Sequence, residues 1–478
     1  MSAARLSPLD SSFLAVESST AHMHVGWAAL FSPPNEGPAP SFTKLREHIG
    51  SRLERAPRYR QKLAQVPFAV HNPVWVDDHQ FDLSRHVHRA TSSGFSEVID
   101  EAMSAPLDQG IPLWQLWIRD NLPDGRIGVV GKAHHCMVDG IAAVELAALL
   151  LDPTARPPSS RKDFWEAAPV PGAVKLLTEG LRDRLLDPLA LFGKALEIVR
   201  SPTRMFALPE DLRRALRALG HSVGAPAPPS MLNGPISPSR HLAFLQRPLD
   251  DLKRIASHDS RIKINDVVLA AACGGMRRFL ISHGERPTRL KAMVPVNLRD
   301  LDEAGELGNR ISFLFVDLPC DEPDPMLRLR AINTAMSARK AGGEPQGGES
   351  VLGAVAHAPH LLQHVVSRMM ASPRAFNLVV SNIPGPREPL YMLGCELEEV
   401  YPVVPLADRH AISIGLTTIG NGAFFGIYAD PESLPDIERL ATFIDESIDE
   451  LLTATSGRIR AGDGAGTWGA VPSPSPRN

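Results

Sequence analysis

The sequence predicts a mixed α/β or α+β chain folded as two domains that meet at a cleft. Three observations predict it. The chain has 478 residues, more than one ordinary domain holds and enough for two of about 200 each. Strand-like and helix-like patterns mix in both halves. Proline-rich stretches at residues 152–172 and 226–238 separate those halves. The predicted division is an N-terminal domain over 1–185, a helical and proline-rich linker over 186–239, a C-terminal domain over 240–456 and a disordered tail over 457–478, rich in Gly, Pro and Ser.

The elements follow in order. Residues 27–31 form a short apolar strand. Residues 42–56 read as a helix, with Leu45, Ile49 and Leu53 four apart on one face. Residues 114–120 and 126–133 read as strands joined by the turn Pro123-Asp124-Gly125. Residues 140–151 read as the helix after them. Residues 173–200 are helix-like, with Val174, Leu177, Leu181 and Leu185 on one face and Lys175, Arg182 and Arg184 among them. In the second half, 265–280 reads as a buried helix. Residues 290–296, 311–318, 376–381 and 411–417 read as strands.

Composition excludes several classes. Hydrophobic residues are 44% and charged residues 22%, as in an ordinary globular protein. A formal charge of −4 sets up no field for nucleic acid. The four cysteines lie far apart with no C-x-x-C pair, which suggests neither a disulfide framework nor a cysteine zinc site and fits a reducing compartment. Residues 1–20 lack the basic-then-apolar pattern of a signal peptide. No run of about 18 apolar residues predicts a transmembrane helix.

The chemistry concentrates in G-K-A-H-H-C-M-V-D-G at 131–140, between a predicted strand and a predicted helix. A reactive side chain at such a junction is held by rigid elements on both sides. Acyl transfer to an alcohol needs a base for the hydroxyl proton, a donor for the oxyanion and a leaving group. Histidine suits the first task because its ordinary pKa of about 6.5 lies near working pH. With 17 histidines in the chain, about 0.6 His-His pairs arise by chance, so the pair alone is uninformative. Requiring an acid four residues later and then a glycine lowers the chance expectation to about 0.005. The plain alternative is a histidine pair packed in a loop that caps the next helix.

Adjacent side chains usually point apart, so His134 and His135 are not both the base. The H-x-x-x-D spacing selects His135 and leaves His134 in support. Asp139 has two readings, orienting His135 or pairing with an arginine elsewhere. Gly140 admits backbone angles closed to other residues.

Other signals have plain readings beside the chemical ones. Asn265 and Asp266 open a helix, where capping or bonding between domains explains them. Gly220-His221-Ser222-Val223-Gly224 matches the G-x-S-x-G nucleophile elbow, which needs a strand before it and a helix after it. Here an arginine-rich helical stretch precedes it and prolines follow, which marks a chance match. His86-x-His88 has no third ligand nearby, and no metal is predicted.

The motifs together resemble one family. H-H-x-x-x-D-G is the signature of the coenzyme-A-dependent acyltransferase and condensation-domain superfamily. The opening L-S-P-L-D-S-S-F-L-A-V-E over 6–17, M-H-V-G over 23–26, Pro112-Leu113-Trp114, Asn265-Asp266, V-P-V-N-L-R over 294–299, G-N-R over 308–310 and S-N-I-P-G-P over 381–386 resemble the bacterial wax ester synthase/diacylglycerol acyltransferases. The resemblance runs from Leu6 to Leu452. The segment at 411–420 departs from the usual family strand, which bears on the acceptor pocket.

The resemblance implies two chloramphenicol-acetyltransferase-like domains, each a mixed sheet with helices, around a central tunnel with His135 at its middle. It implies acyl-CoA as co-substrate with no other cofactor, and diacylglycerol or a long-chain alcohol as acceptor. It also implies direct transfer without an acyl-enzyme, and a mostly structural Asp139. Asn297 and Arg299 are candidates to brace the site, Arg299 also as a partner for Asp139. A lipid substrate without a membrane span implies a cytoplasmic protein held peripherally on the inner face of the cell membrane or on lipid droplets. The helix-like stretch over 173–200, with Arg213, Arg214 and Arg217, is a candidate surface for that contact, although an ordinary amphipathic surface helix is the favoured plain reading. The competing readings are a lipid serine hydrolase using Ser222 and a non-catalytic lipid-binding relative.

Overall fold

A computed structural model describes residues 4–34, 36–137, 150–156, 165–185, 225–297, 311–341, 368–369 and 371–459. The first half contains α1 (Pro8–Val16), β1 (His24–Phe31), α2 (Phe42–Arg52), β2 (Gln61–Ala64), β3 (Val74–Asp77), β4 (Val87–Arg89), α3 (Phe95–Ser104), β5 (Trp114–Arg119), β6 (Ile127–His134) and α4 (Ala173–Leu185). The second contains β7 (His241–Pro248), α5 (Leu249–Ala256), α6 (Ile264–Ser282), β8 (Leu290–Asn297), β9 (Ile311–Leu318), α7 (Pro325–Ala341) and β10 (Leu378–Ile383). It continues through β11 (Tyr391–Met392), β12 (Cys395–Val403), β13 (Ile412–Ile419), β14 (Gly422–Ala429) and α8 (Ile437–Ile459).

Two six-stranded mixed sheets carry the strands, in the orders β11-β12-β1-β6-β5-β4 and β7-β14-β13-β10-β8-β9, except for β2 and β3, which pair with each other. The expected class therefore holds in both halves. The first sheet is antiparallel except for the β4–β5 pair. In the second, β8, β10 and β13 run parallel and the other pairs are antiparallel.

Strand β12 leaves the second half and pairs antiparallel with β1, Gly26 opposite Val403 and Ala28 opposite Tyr401. The first sheet is thus completed by residues more than 360 positions downstream. The sequence reading names no strand over 395–403, and nothing local there signals a partner at residues 24–31.

Alternation along β1 sends its residues to two different layers. Val25, Trp27, Ala29 and Phe31 pack with Leu45 and Ile49 of α2. Ala28 faces the other way, with Val130 of β6 and Ile99, Ala102 and Met103 of α3, in a core continuous with that of the second half. His24, Gly26, Lys132 and His134 lie on this second face by register.

Element edges differ from the sequence reading where side chains redirect the backbone. The strand expected over 376–381 begins at Leu378. Asn377 accepts the Lys291 N–H through Oδ1 at 2.8 Å and donates to Pro228 O at 2.8 Å. The helix expected over 42–56 ends at Arg52 and tightens into a 3₁₀ turn. Helix α4 buries Leu176 and Gly180, while Val174 and Leu181, on its expected apolar face, stay exposed.

Candidate active site

Strand β6 ends at His134, and the chain turns at once. The Met137 N–H donates to His134 O at 2.9 Å, which places His135 at the first corner of that turn. The backbone is held on both sides. His134 N–H donates to Leu113 O at 2.9 Å, and His135 N–H donates to Met23 O at 2.9 Å. Met23 has a φ of 50°, a left-handed conformation that costs a non-glycine residue free energy and gathers at functional sites.

The two histidine rings occupy different environments. The His135 ring stacks on Phe13 of α1, with centroids 3.7 Å apart and planes within 9°. His134 is fully buried, and its Nδ1 accepts the Cys136 N–H at 3.1 Å. A nitrogen that accepts carries no proton, so the neutral ring holds its proton on Nε2. That nitrogen lies 3.6 Å from Glu17 Oε2, within ion-pair reach.

Helix α1 supplies both Phe13 and the turn that carries Glu17. Its start is fixed by local chemistry. Ser7 caps it by accepting the Asp10 N–H at 3.1 Å, and Pro8 sits in the first turn, where its missing N–H costs nothing. The residues before it are pinned to the neighbouring segment, Leu6 N–H to Pro73 O and Trp75 N–H to Ala4 O.

Beside His134 on the same sheet face lies a buried basic cluster. His24 is directly opposite His134, and the His22 and His24 rings are 5.2 Å apart. Burial pushes His24 well below the usual histidine range, and the nearby Lys132 ammonium adds to that. Burial lowers His22 as well. Burial pushes the Lys132 ammonium down to about 7. Its Nζ donates to Ala102 O and Ala105 O, each at 2.5 Å, which satisfies the carbonyl end of α3.

The other residues named from the sequence fall in different places. Leu113 of the Pro-Leu-Trp motif is buried and gives its carbonyl to His134, while Trp114 Nε1 donates to Tyr59 O at 2.7 Å. Asp266 is buried in the first turn of α6, accepting the Lys263 N–H and Asn333 Nδ2, both at 2.9 Å. Its bonds are those of a helix cap. Asn265 is half-buried beside it, and Asn297 closes β8 opposite Ile311. Asp139, Gly140, Arg299 and Ser222 lie outside the described residues. His86 stacks on Trp114 and binds its carbonyl through Nδ1 at 2.9 Å. Among the described residues no group of three His, Cys, Asp or Glu side chains is placed to hold a metal.

Phe13, Glu17 and Met23 are parts of the site that the sequence does not single out, although the first two lie in the Leu6–Glu17 segment. For Phe13 and Glu17 the sequence signal is the Ser7-Pro8-x-Asp10 helix start, and for Met23 it is its place in the M-H-V-G segment over 23–26.

Residues 6–268 match the wax ester synthase/diacylglycerol acyltransferase catalytic domain, and residues 307–452 match the WS/DGAT C-terminal domain. The probable diacylglycerol O-acyltransferase tgs1 of Mycobacterium tuberculosis is 32% identical over 465 residues, covering 95% of this chain and 96% of that protein. The tgs2 protein of the same organism is 32% identical over 455 residues, covering 93% and 98%. Among solved structures, the wax ester synthase/diacylglycerol acyltransferase from Marinobacter aquaeolei VT8 has a TM-score of 0.67 at 24% identity, covering 95% of this chain and 100% of that one. The starter condensation domain of rhizomide synthetase shares the fold with a TM-score of 0.57 at 14% identity, covering 95% of each chain. The chain belongs to the wax ester synthase/diacylglycerol acyltransferase family and is an O-acyltransferase.

Proposed function

We propose that the enzyme transfers a fatty acyl group from acyl-CoA to the free hydroxyl of a diacylglycerol, with long-chain alcohols as second acceptors and His135 as general base. The observation that carries this reading is the fixed His135 ring, stacked on Phe13 at the corner of the turn after β6. His134 is fully buried with Nδ1 already engaged, which leaves it a supporting role. The names of the relatives that are 32% identical favour diacylglycerol as acceptor.

In this reaction His135 takes the acceptor's hydroxyl proton as the oxygen attacks the thioester carbonyl. The tetrahedral intermediate collapses and the C–S bond breaks. The imidazolium returns the proton to the departing CoA thiolate, giving free CoA and the new ester. Acyl-CoA is the co-substrate, and no metal or other cofactor takes part. The test is CoA release from palmitoyl-CoA with diacylglycerol or hexadecanol, for the wild type and His135→Ala. Turnover lost in the variant supports the base, and equal activity in both proteins removes it.

The reading includes peripheral contact with a membrane or lipid-droplet surface. Among the described residues no helix is long and apolar enough to cross a membrane. Phe68 is 89% exposed at a φ of 59°. The α4 face that carries Val174 and Leu181 is exposed, with Lys175 and Arg182 beside them. Apolar side chains among cations suit an anionic lipid interface. Sedimentation with anionic vesicles tests this, with Phe68→Asp and Val174→Asp expected to weaken binding. Unchanged binding in both variants argues against this surface.

A further inference from the structure

The Leu6–Glu17 segment supplies Phe13 to the proposed site, and two further segments reach the residue at its end. Glu17 follows α1, with its N–H donating to Phe13 O at 3.2 Å. Its Oε2 accepts Gln109 Nε2 at 2.6 Å and faces His134 Nε2 at 3.6 Å. Across the ring, His134 Nδ1 accepts the Cys136 N–H. Gln109, Glu17, His134 and Cys136 thus form one line of polar contacts, and it ends on the residue after His135.

We propose that Glu17 is a positioning residue for His135, acting through the tautomer of His134. This rests on the reading of His135 as the base. A carboxylate beside Nε2 favours the ring form with its proton there. Only that form leaves Nδ1 as an acceptor for the Cys136 N–H. The opposite tautomer sets two N–H groups against each other inside a fully buried site, where neither finds water. The turn that aims His135 then loses one of its ties. The arrangement resembles a metal-binding histidine whose far nitrogen is held by a carboxylate, with a backbone N–H in place of the metal. Phe13, one turn earlier on the same helix, stacks on the His135 ring. Helix α1 therefore orients both histidines, one through its ring face and one through a charge at its end.

The test compares Glu17→Leu and Glu17→Gln with His135→Ala in the purified full-length protein, using palmitoyl-CoA and diacylglycerol. Glu17→Leu is expected to lower kcat about 10- to 100-fold while KM for palmitoyl-CoA stays within about twofold. Glu17→Gln keeps an oxygen acceptor for Nε2 and is expected to recover most of that loss. Selective ¹⁵N-histidine spectra give a readout that simple packing does not move. The wild type shows His134 with its proton on Nε2, and Glu17→Leu shows a mixture. Wild-type kcat in Glu17→Leu overturns the proposal. So does a loss confined to KM or to thermal stability, or a failure of Glu17→Gln to recover activity while its His134 tautomer is unchanged. Full activity in His135→Ala sinks the reading of the base itself, whatever the Glu17 variants do.

Discussion

The ring of Phe13 lies 3.7 Å from the ring of His135 and within 9° of parallel to it. A stack of this kind fixes the plane of the imidazole and contributes about 1 kcal/mol. Phe13→Leu keeps most of the volume and loses the flat surface. The expected result is a fall in kcat of about 10-fold or more with little change in melting temperature, because the ring gains freedom to turn. Steady-state kinetics beside thermal unfolding checks it. A matching loss in stability would mean that the stack serves packing alone.

Met23 carries the carbonyl that accepts the His135 N–H, and it does so at a φ of 50°. Glycine adopts that angle without strain, and a β-branched residue adopts it badly. Met23→Gly relieves the angle but empties a buried site, so the two effects oppose each other. Met23→Val is expected to cost about 2 kcal/mol and to lower kcat along with stability. Denaturant unfolding of the two variants separates the terms, with valine the more damaging of the pair.

Gly26 lies where β1 and β6 come close. A Cβ there would stand 2.6 Å from Gly131 O, with Met103 Sδ at 3.4 Å. The first contact is backbone, which cannot swing aside. Gly26→Ala is expected to cost about 1–3 kcal/mol by forcing the strands apart near the site. A drop in the urea midpoint with an unchanged slope would be the expected signature.

His241 on β7 bridges Asp100 of α3, at 2.7 Å, and Glu438 of α8. It ties a helix of the first half to the second. The bond to Asp100, together with Glu438, raises the imidazole to about 9 against burial. A raised folded-state pKa stabilises the protein fully below the ordinary value of about 6.5, and that contribution is lost as pH rises through about 9. Because both carboxylates reach solvent, about 1 kcal/mol is the expected size after screening. Asp100→Asn should flatten the fall in stability between pH 6.5 and 9.5, measured by thermal or urea unfolding. An identical pH slope in the variant would remove the clamp.

Much of the fold and part of the site were legible because local patterns carry them. The strand over 126–133 is written in a mostly apolar run after the turn Pro123-Asp124-Gly125, and the histidine pair follows it directly. The expectation that neighbouring side chains diverge places the His134 and His135 rings in different surroundings, as observed. The capping reading of Asp266 needed only its place at a helix start. Partners distant in sequence were not legible. Nothing near residue 17 signals a contact with residue 134, since a through-space distance leaves no trace in spacing. Tyr401 opposite Ala28 is the same case on the scale of a whole strand. The strand expected at 376 started two residues late because Asn377 spends its side chain on another segment.

The place of β12 has a consequence for how the chain is made. Strand β1 is complete once residue 31 has left the ribosome, but one of its edges waits for residues 395–403. At a synthesis rate of about 5–20 residues per second, that wait is on the order of 20–70 s. Throughout it, Trp27, Ala29 and Phe31 belong to a sheet with an open side, the kind of edge that recruits other strands. The newborn first half therefore carries an unpaired strand edge until residues 395–403 have emerged. A fragment cut at residue 268, though it spans the whole catalytic-domain match, keeps that edge open for good.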